Sequence, residues 1–181
     1  NEKTRKFLKP IIELLNGIPS VVYGFFGLAV IVPFLQQTFN LPVGESGLAG
    51  SLVLAIMALP TIITVAEDAM RSCPRNMREA SLALGATQWQ TIYKVVIPFS
   101  ISGITSGIVL GIGRAIGETM AVLMVTGNAA VMPHSILEPL RTIPATIAAE
   151  LGEAPAGGAH YQSLFLLGVI LFFITLIINS C

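Results

Sequence analysis

The sequence predicts an all-α membrane protein, a polytopic bundle of transmembrane helices, and three observations lead to this class. Charged residues make up only 11% of the 181 residues, against roughly 25% in soluble domains. Hydrophobic residues make up 54%, and the mean hydropathy is +0.79. The 17 Gly and 11 Pro residues are spread along the apolar stretches, a distribution that transmembrane helices tolerate. A chain this poor in charge cannot cover its surface with polar groups, so its solvent is largely lipid.

Four stretches of the chain are long enough and apolar enough to cross a bilayer. A helix needs about 20 residues to cross about 30 Å of hydrocarbon. The predicted spans are residues 20–38, 47–66, 95–126 and 161–180. The third is too long for one straight crossing, so it must tilt, bend or protrude. We treat residues 1–181 as a single transmembrane domain and expect it to be part of a longer protein.

The basic residues predict the orientation, because cytoplasmic loops of membrane proteins are enriched in Lys and Arg. Eight of the ten fall before the first span or between the second and third, and these two places face the same side. They are Lys3, Arg5, Lys6, Lys9, Arg71, Arg75, Arg78 and Lys94. The segment 127–160 carries only Arg141. We therefore predict that residues 67–94 are cytoplasmic and that residues 127–160 face outward.

The cytoplasmic segment 72–94 contains more helix signals than a simple connector needs. Asn76-x-x-Glu79 and Thr87-x-x-Gln90 both have the form of capping boxes, in which two side chains satisfy the first backbone N–H groups of a helix. Gly85 lies between them, where a left-handed residue would end the first helix. The pattern predicts a short surface helix over about 77–84, whose small side chains would let another protein approach closely.

The same segment resembles the EAA loop of importer-class ABC-transporter permeases. The family pattern is E-A-A-x3-G-x9-I-x-L-P, and this chain reads EAS at 79–81, then Gly85, then VVIP at 95–98. The departures are Ser81, Val95 and Ile97. The resemblance implies that 77–84 is a coupling helix seated on a separate ATPase subunit. The coupling residues it implies are Glu79, Ala80, Ser81 and Gly85.

The third span carries charged residues, which are rare inside a membrane. Gly103, Gly107 and Gly111 recur every four residues and predict a helix-packing stripe. Arg114 comes eleven residues after Gly103 and so points about 20° from the same direction, and Glu118 is related in the same way to Gly107. We therefore expect both charges to face the protein interior.

Two interpretations of Arg114 and Glu118 remain open from the residues alone. A charge at the centre of a membrane helix costs about 2.5–3.5 kcal/mol on insertion scales, so it needs a partner or a water-filled path. At i and i+4 the two side chains can pair with each other and pin helices together. Alternatively, Arg114 lies on a path for an anion, since a guanidinium offers forked donors that match oxyanions.

Residues 113–128, GRAIGETMAVLMVTGN, are similar to the signature of phosphate ABC-transporter permeases. The segments 17–24, 58–61 and 141–153 also resemble that family. Of its two paired subunits, the PstC type is the more similar, because MAVLM follows Gly-Glu-Thr. The resemblance implies that Arg114 and Glu118, with the adjacent Thr119, belong to the substrate path.

The resulting prediction is a permease subunit of an ATP-driven importer that forms part of the path for inorganic phosphate. The resemblance implies as partners a second permease subunit, two ATPase subunits, an extracytoplasmic phosphate-binding protein and the lipid bilayer. It also implies a multi-pass protein in the cell membrane of a bacterium or archaeon. Alternatives are a permease for another oxyanion, an ion-coupled secondary carrier and a membrane-embedded hydrolase, although no predicted span contains the His or Cys that a hydrolase would use.

Several further sites are not expected in this chain. No G-x4-G-K-[ST] motif occurs, so ATP would be hydrolysed by a separate subunit and the chain is not predicted to be an enzyme. His134 and His160 have no nearby third ligand, and Cys73 and Cys181 have no metal or disulfide spacing. We predict no metal and no cofactor, and the zero net charge argues against nucleic-acid binding. Arg141 either guides an anion, contacts a binding protein or is an ordinary surface residue.

Overall fold

The computed structural model describes the backbone of residues 2–180 and the side chains of residues 6–180, and in this part the protein is built from helices. The side chains of Lys3 and Arg5, two of the predicted cytoplasmic charges, and Cys181 lie outside the described residues. The α-helices are α1 (Glu2–Gly17), α2 (Ser20–Phe26), α3 (Val32–Phe39), α4 (Gly47–Arg71), α5 (Arg75–Ala83), α6 (Gln88–Thr91), α7 (Ile97–Gly117), α8 (Met120–Val125), α9 (Ile143–Glu150) and α10 (Ala159–Ser180). The predicted all-α class is confirmed.

Four of the helical stretches are long and apolar enough to cross a membrane. They are Ser20–Phe39, Gly47–Arg71, Gln88–Gly117 and Ala159–Ser180. The first and third are each continuous through a π-helical turn, in which the backbone is wound slightly wider than in an α-helix. These turns are Gly27–Ile31, which joins α2 to α3, and Ile92–Val96, which joins α6 to α7.

The stretch predicted as one span over 95–126 is divided in the structure. Helix α7 ends at Gly117, Glu118 and Thr119 are not helical, and α8 begins at Met120. Helix α8 ends before Gly127 and Asn128, which both have positive φ, at 77° and 45°. A run of apolar residues therefore includes one long helix, a break at Glu118 and Thr119, and a separate short helix.

The chain divides into two compact units. The first contains residues up to Asn16 together with Leu59–Ile112. In it, α1 is joined to the second half of α4 by side-chain bonds: Asn16 donates to Thr64 at 3.3 Å and accepts from Thr61 at 3.0 Å. The Nζ atom of Lys9 lies 3.9 Å from Oδ1 of Asp68.

In the same unit, α7 packs closely on the second half of α4, as the glycine stripe predicts. A Cβ atom added at Gly103 would lie 2.4 Å from Cβ of Ala69, and one at Gly107 would lie 3.1 Å from side-chain atoms of Val65. The hydroxyl of Ser100 donates to the carbonyl of Ala69 at 2.9 Å. The small residues therefore bring the two backbones together, as in other membrane helix pairs.

The second unit contains Gly17–Ala58 and the chain from Gly113 onward. Its core is formed by α2, α3, the first half of α4 and α8. The buried residues of this core are Tyr23, Val32, Leu35, Ala49, Val53, Met57, Ala121 and Val125. Glycines again permit close approach, since a Cβ atom at Gly24 would lie 2.8 Å from Cα of Ala121.

The segment after α8 closes over the amino terminus of α4 within the second unit. The N–H of Gly47 donates to the carbonyl of Glu138 at 3.1 Å, and that of Leu48 to the carbonyl of Ile136 at 2.8 Å. These bonds satisfy two of the backbone donors that a helix leaves unpaired in its first turn. The segment is thereby fixed in place before it leads into α9.

Candidate transport and coupling sites

Helix α5 begins two residues earlier than the sequence predicted. Pro74 occupies the N-cap with φ of −57° and ψ of 141°, and the helix runs from Arg75 to Ala83. The predicted capping box at Asn76 and Glu79 is wrong, because Asn76 lies inside the helix and its Oδ1 accepts from the N–H of Met77 at 2.9 Å. Proline presets an extended entry that places the helix start directly after it.

The end of α5 and the start of α6 follow the predicted geometry. Gly85 adopts a left-handed φ of 84°, and the N–H of Ala86 donates to the carbonyl of Ser81 at 3.2 Å. The capping box at Thr87 and Gln90 is confirmed: Gln90 N donates to Thr87 Oγ1 at 3.2 Å, and Thr87 N donates to Gln90 Oε1 at 2.9 Å.

Two side-chain bonds hold α5 against its neighbours. The Nη2 atom of Arg78 donates to the carbonyl of Met70 at 2.6 Å, which ties α5 to the end of α4. The hydroxyls of Ser81 and Thr91 lie 3.0 Å apart and join α5 to α6. An alanine, the residue at this place in the EAA pattern, could not make the second bond. Ser81 therefore has a contact within the chain in addition to its predicted role.

The outer face of the α5–α6 turn is exposed and largely apolar. Glu79 and Ala80 are exposed, Leu84 is 90% exposed and Trp89 is 75% exposed. A groove of about 300 Å³ lies between α5 and the chain from α6 to Val96, and it is lined by Arg78, Leu82, Gln88, Thr91, Ile92 and Val96. Leu84 and Trp89 are therefore accessible to another protein surface.

The three residues predicted for the substrate path lie at the break between α7 and α8. Arg114 is in the last turn of α7 and is partly buried. The Oε1 atom of Glu118 accepts from the N–H of Ala121 at 3.2 Å, so this carboxylate satisfies a donor in the first turn of α8. The hydroxyl of Thr119 donates to the carbonyl of Gly117 at 3.3 Å. The break thus places a cation, an anion and a hydroxyl within six residues of chain.

A second charged cluster, whose interactions the sequence did not predict, lies in the segment 127–160. Arg141 Nη1 pairs with Oε1 of Glu150, and Arg141 Nε donates to the carbonyl of Asn128 at 3.1 Å. The other oxygen of Glu150 lies 3.2 Å from Nε2 of His160. A sequence signal was present, because Arg141 and Glu150 carry opposite charges and are only nine residues apart in the chain.

The family of the chain follows from comparison with known proteins. A family model described as the inner membrane component of binding-protein-dependent transport systems matches residues 1–180. The chain belongs to this family. Membership confirms the resemblance to importer permeases, and it agrees with the prediction of a transporter subunit rather than an enzyme. With four helices of spanning length, this inner-membrane transport component is a multi-pass membrane protein.

Curated relatives of the chain are themselves named as permeases. A probable ABC transporter permease protein, YqgH of Bacillus subtilis, is 47% identical, over 92% of this chain and 54% of its own length. The phosphate transport system permease protein PstC of Mesorhizobium japonicum is 40% identical, over 96% of this chain and 60% of its own. PstC of Pasteurella multocida is 38% identical, over 99% and 61%. The chain thus spans between about half and three-fifths of the length of these relatives.

Proposed function

We propose that this chain is part of a permease subunit of an ATP-driven importer and contributes to the translocation path for inorganic phosphate. A second permease subunit would complete the path, two ATPase subunits would supply the energy, and an extracytoplasmic binding protein would deliver the anion. The membrane would be the cell membrane of a bacterium or archaeon. The names of the PstC relatives support phosphate as the cargo.

The observation that carries the proposal is the exposed turn formed by α5 and α6. A short helix that ends at the left-handed Gly85, and that Arg78 ties to α4 and Ser81 to α6, is positioned to move together with those helices. Its exposed residues Glu79, Ala80 and Leu84 face away from the chain. A force applied to this surface would therefore be transmitted to the spanning helices as a rigid-body movement.

The break between α7 and α8 is the proposed place of contact with the anion. A guanidinium keeps its charge at every physiological pH and offers paired donors to a phosphate oxygen. Glu118 supplies a negative charge nearby and is itself held by its bond from Ala121. We propose that Arg114 binds the anion in passage, that Glu118 balances its charge when no anion is bound, and that Thr119 lines the same path.

The proposal is tested by uptake of radiolabelled phosphate into vesicles that contain the full-length permease pair, its ATPases and its binding protein. We expect uptake to require ATP, and sulfate and molybdate to be taken up poorly. Uptake that persists without ATP in the presence of a proton gradient would instead identify a secondary carrier. Preferred uptake of sulfate or molybdate would identify another oxyanion as the cargo.

Substitution at the break tests the path itself. We expect Arg114→Gln to abolish phosphate uptake, while Arg71→Gln, which removes an exposed guanidinium that pairs with Glu67 at 3.9 Å, leaves it near the wild-type rate. The double variant Arg114→Glu, Glu118→Arg keeps both charges. We expect it to fold and insert but not to transport phosphate. Full uptake by Arg114→Gln, or by the exchanged pair, would place these residues outside the path.

A further inference from the structure

The cluster of Arg141, Glu150 and His160 places a single carboxylate between a guanidinium and an imidazole nitrogen. One oxygen of Glu150 pairs with Nη1 of Arg141, and the other lies 3.2 Å from Nε2 of His160. The Arg141 side chain is 20% exposed and that of Glu150 is 30% exposed. The pair is therefore partly shielded, yet water and small solutes can reach it.

The guanidinium of Arg141 retains donors beyond these bonds. A guanidinium has five N–H groups, and in the described part of the chain those of Arg141 are used by Glu150 at Nη1 and by the carbonyl of Asn128 at Nε. The Nε bond fixes the orientation of the planar group against the backbone. The Nη2 donors have no protein acceptor among the described residues, so they are available to a second oxyanion.

A buried hydroxyl without a hydrogen-bond partner belongs to the residue that follows Arg141. It is Oγ1 of Thr142. Oδ1 of Asn128 is also unpaired, but an amide oxygen only accepts hydrogen bonds and therefore does not support an anion site. Buried polar atoms in folded proteins are normally paired, and each exception calls for a physical reason such as the binding of an ion. A hydroxyl donates readily to a phosphate oxygen.

A carboxylate and a phosphate make the same kind of contact with a guanidinium. Both present oxygens that accept two parallel N–H bonds, and at neutral pH phosphate carries more charge than a carboxylate. Glu150 therefore has the geometry of an internal competitor for an incoming anion. If Arg141 and Glu150 form only a structural ion pair, loss of either side chain changes the affinity for phosphate in the same direction. If Glu150 competes with the anion, loss of Arg141 lowers the affinity and loss of Glu150 raises it.

We infer that Arg141 is a second oxyanion-binding residue, located in the segment predicted to face outward, and that Glu150 is the internal carboxylate which the anion displaces. This inference rests on the proposed function, because it takes phosphate as the cargo. It adds a site of first contact that is separate in sequence from Arg114.

The experiment measures equilibrium binding of radiolabelled inorganic phosphate to the purified full-length permease pair with its ATPases, without the binding protein. We expect Arg141→Gln to weaken binding by about tenfold or more, since a charge-assisted pair is lost. Glu150→Gln should tighten binding, because the competitor loses its charge. Glu153→Gln removes an exposed acid from the same segment and should leave the affinity within about twofold of wild type.

Each outcome separates the inference from its alternatives. Weaker binding in both Arg141→Gln and Glu150→Gln would identify a structural ion pair and overturn the inference. Affinity that is the same in both variants as in wild type, or no binding to any of them up to millimolar phosphate, would overturn it as well. Failure of the wild-type system to take up phosphate with ATP would overturn the proposed function, whereas normal uptake with same-sign shifts would overturn only this inference.

Discussion

Gly85 ends α5 in a left-handed conformation that side chains with a Cβ atom disfavour. Its φ is 84°, and an added Cβ atom would meet nothing within 4 Å. Space is therefore not the constraint at this position. The backbone conformation alone favours glycine, because the left-handed region costs most other L-residues roughly 1–2 kcal/mol.

Replacing Gly85 with valine should uncouple ATP hydrolysis from transport. The strain of about 1–2 kcal/mol would shift the turn and change how the exposed surface around Leu84 is presented. The measurement is the number of ATP molecules hydrolysed per phosphate taken up, which should rise while the protein remains inserted. Gly85→Asn is the matched control, because asparagine enters the left-handed region more readily. An unchanged ratio in Gly85→Val would argue against docking at this turn.

Individual residues differ in how far their local sequence predicts their roles. The box at Thr87 and Gln90 and the conformation of Gly85 were predictable, since caps and left-handed turns depend on residues within a few positions. The predicted start of α5 is wrong because Pro74, rather than the capping pattern at Asn76, sets the first residue of the helix. The starts of α5 and α6 both follow local rules for helix ends. The start of α5 was predicted wrongly because two start signals, Pro74 and Asn76, lie close together.

At the scale of whole elements, the α4–α7 pair depends on small residues that bring the helices into contact. The four-residue spacing of the glycines predicted which face of α7 packs against another helix. The structure shows that this helix is α4, in which Ala69 lies opposite Gly103 and Val65 lies opposite Gly107. The sequence could not name these partners, because pairing between helices depends on residues far apart in the chain.

Exchange of small residues between α4 and α7 tests this contact. Gly103→Ala places a Cβ atom 2.4 Å from that of Ala69, and overpacking of this kind costs about 1–3 kcal/mol. We expect a lower midpoint of thermal unfolding in detergent, and recovery when Ala69→Gly is added. Gly17→Ala, where a Cβ atom meets nothing within 4 Å, should have little effect. Equal midpoints for Gly103→Ala and wild type would exclude close packing here.

The break after α7 shows a limit of hydrophobicity as a guide to elements. Residues 95–126 form one apolar run in the sequence, and its excess length predicted a tilt, bend or protrusion. The structure ends α7 at Gly117 and starts α8 at Met120. Hydrophobicity indicates whether a segment lies in lipid or in water, but it does not indicate where its helix ends. The break could therefore not be predicted from composition. At the break, the carboxylate of Glu118 accepts a hydrogen bond from the N–H of Ala121 in the first turn of α8.

At the scale of the whole molecule, the distribution of charge is the property that assigns each loop to a side of the membrane. The fold class was predictable because spans require long apolar stretches, and the described residues contain four helices long and apolar enough to cross a membrane. The third of them, Gln88–Gly117, begins and ends earlier than the predicted stretch 95–126. The assignment of sides rests on the basic residues and stays a prediction. The assignment of sides decides whether the turn at α5 is accessible to a cytoplasmic ATPase and whether Arg141 is accessible to an anion that arrives from outside.

Labelling of single cysteines tests the assignment of sides. Ser72 and Ser135 are both exposed and lie in the segments predicted to be cytoplasmic and outward, so Ser72→Cys and Ser135→Cys form a matched pair. Native Cys73 is only 3% exposed, and a buried thiol reacts slowly; Cys181→Ser removes the other thiol. With a membrane-impermeant maleimide, only Ser135→Cys should react in intact cells, and only Ser72→Cys in sealed inverted vesicles. The reverse pattern would place Arg141 on the ATPase side, where it could not receive phosphate from an extracytoplasmic binding protein.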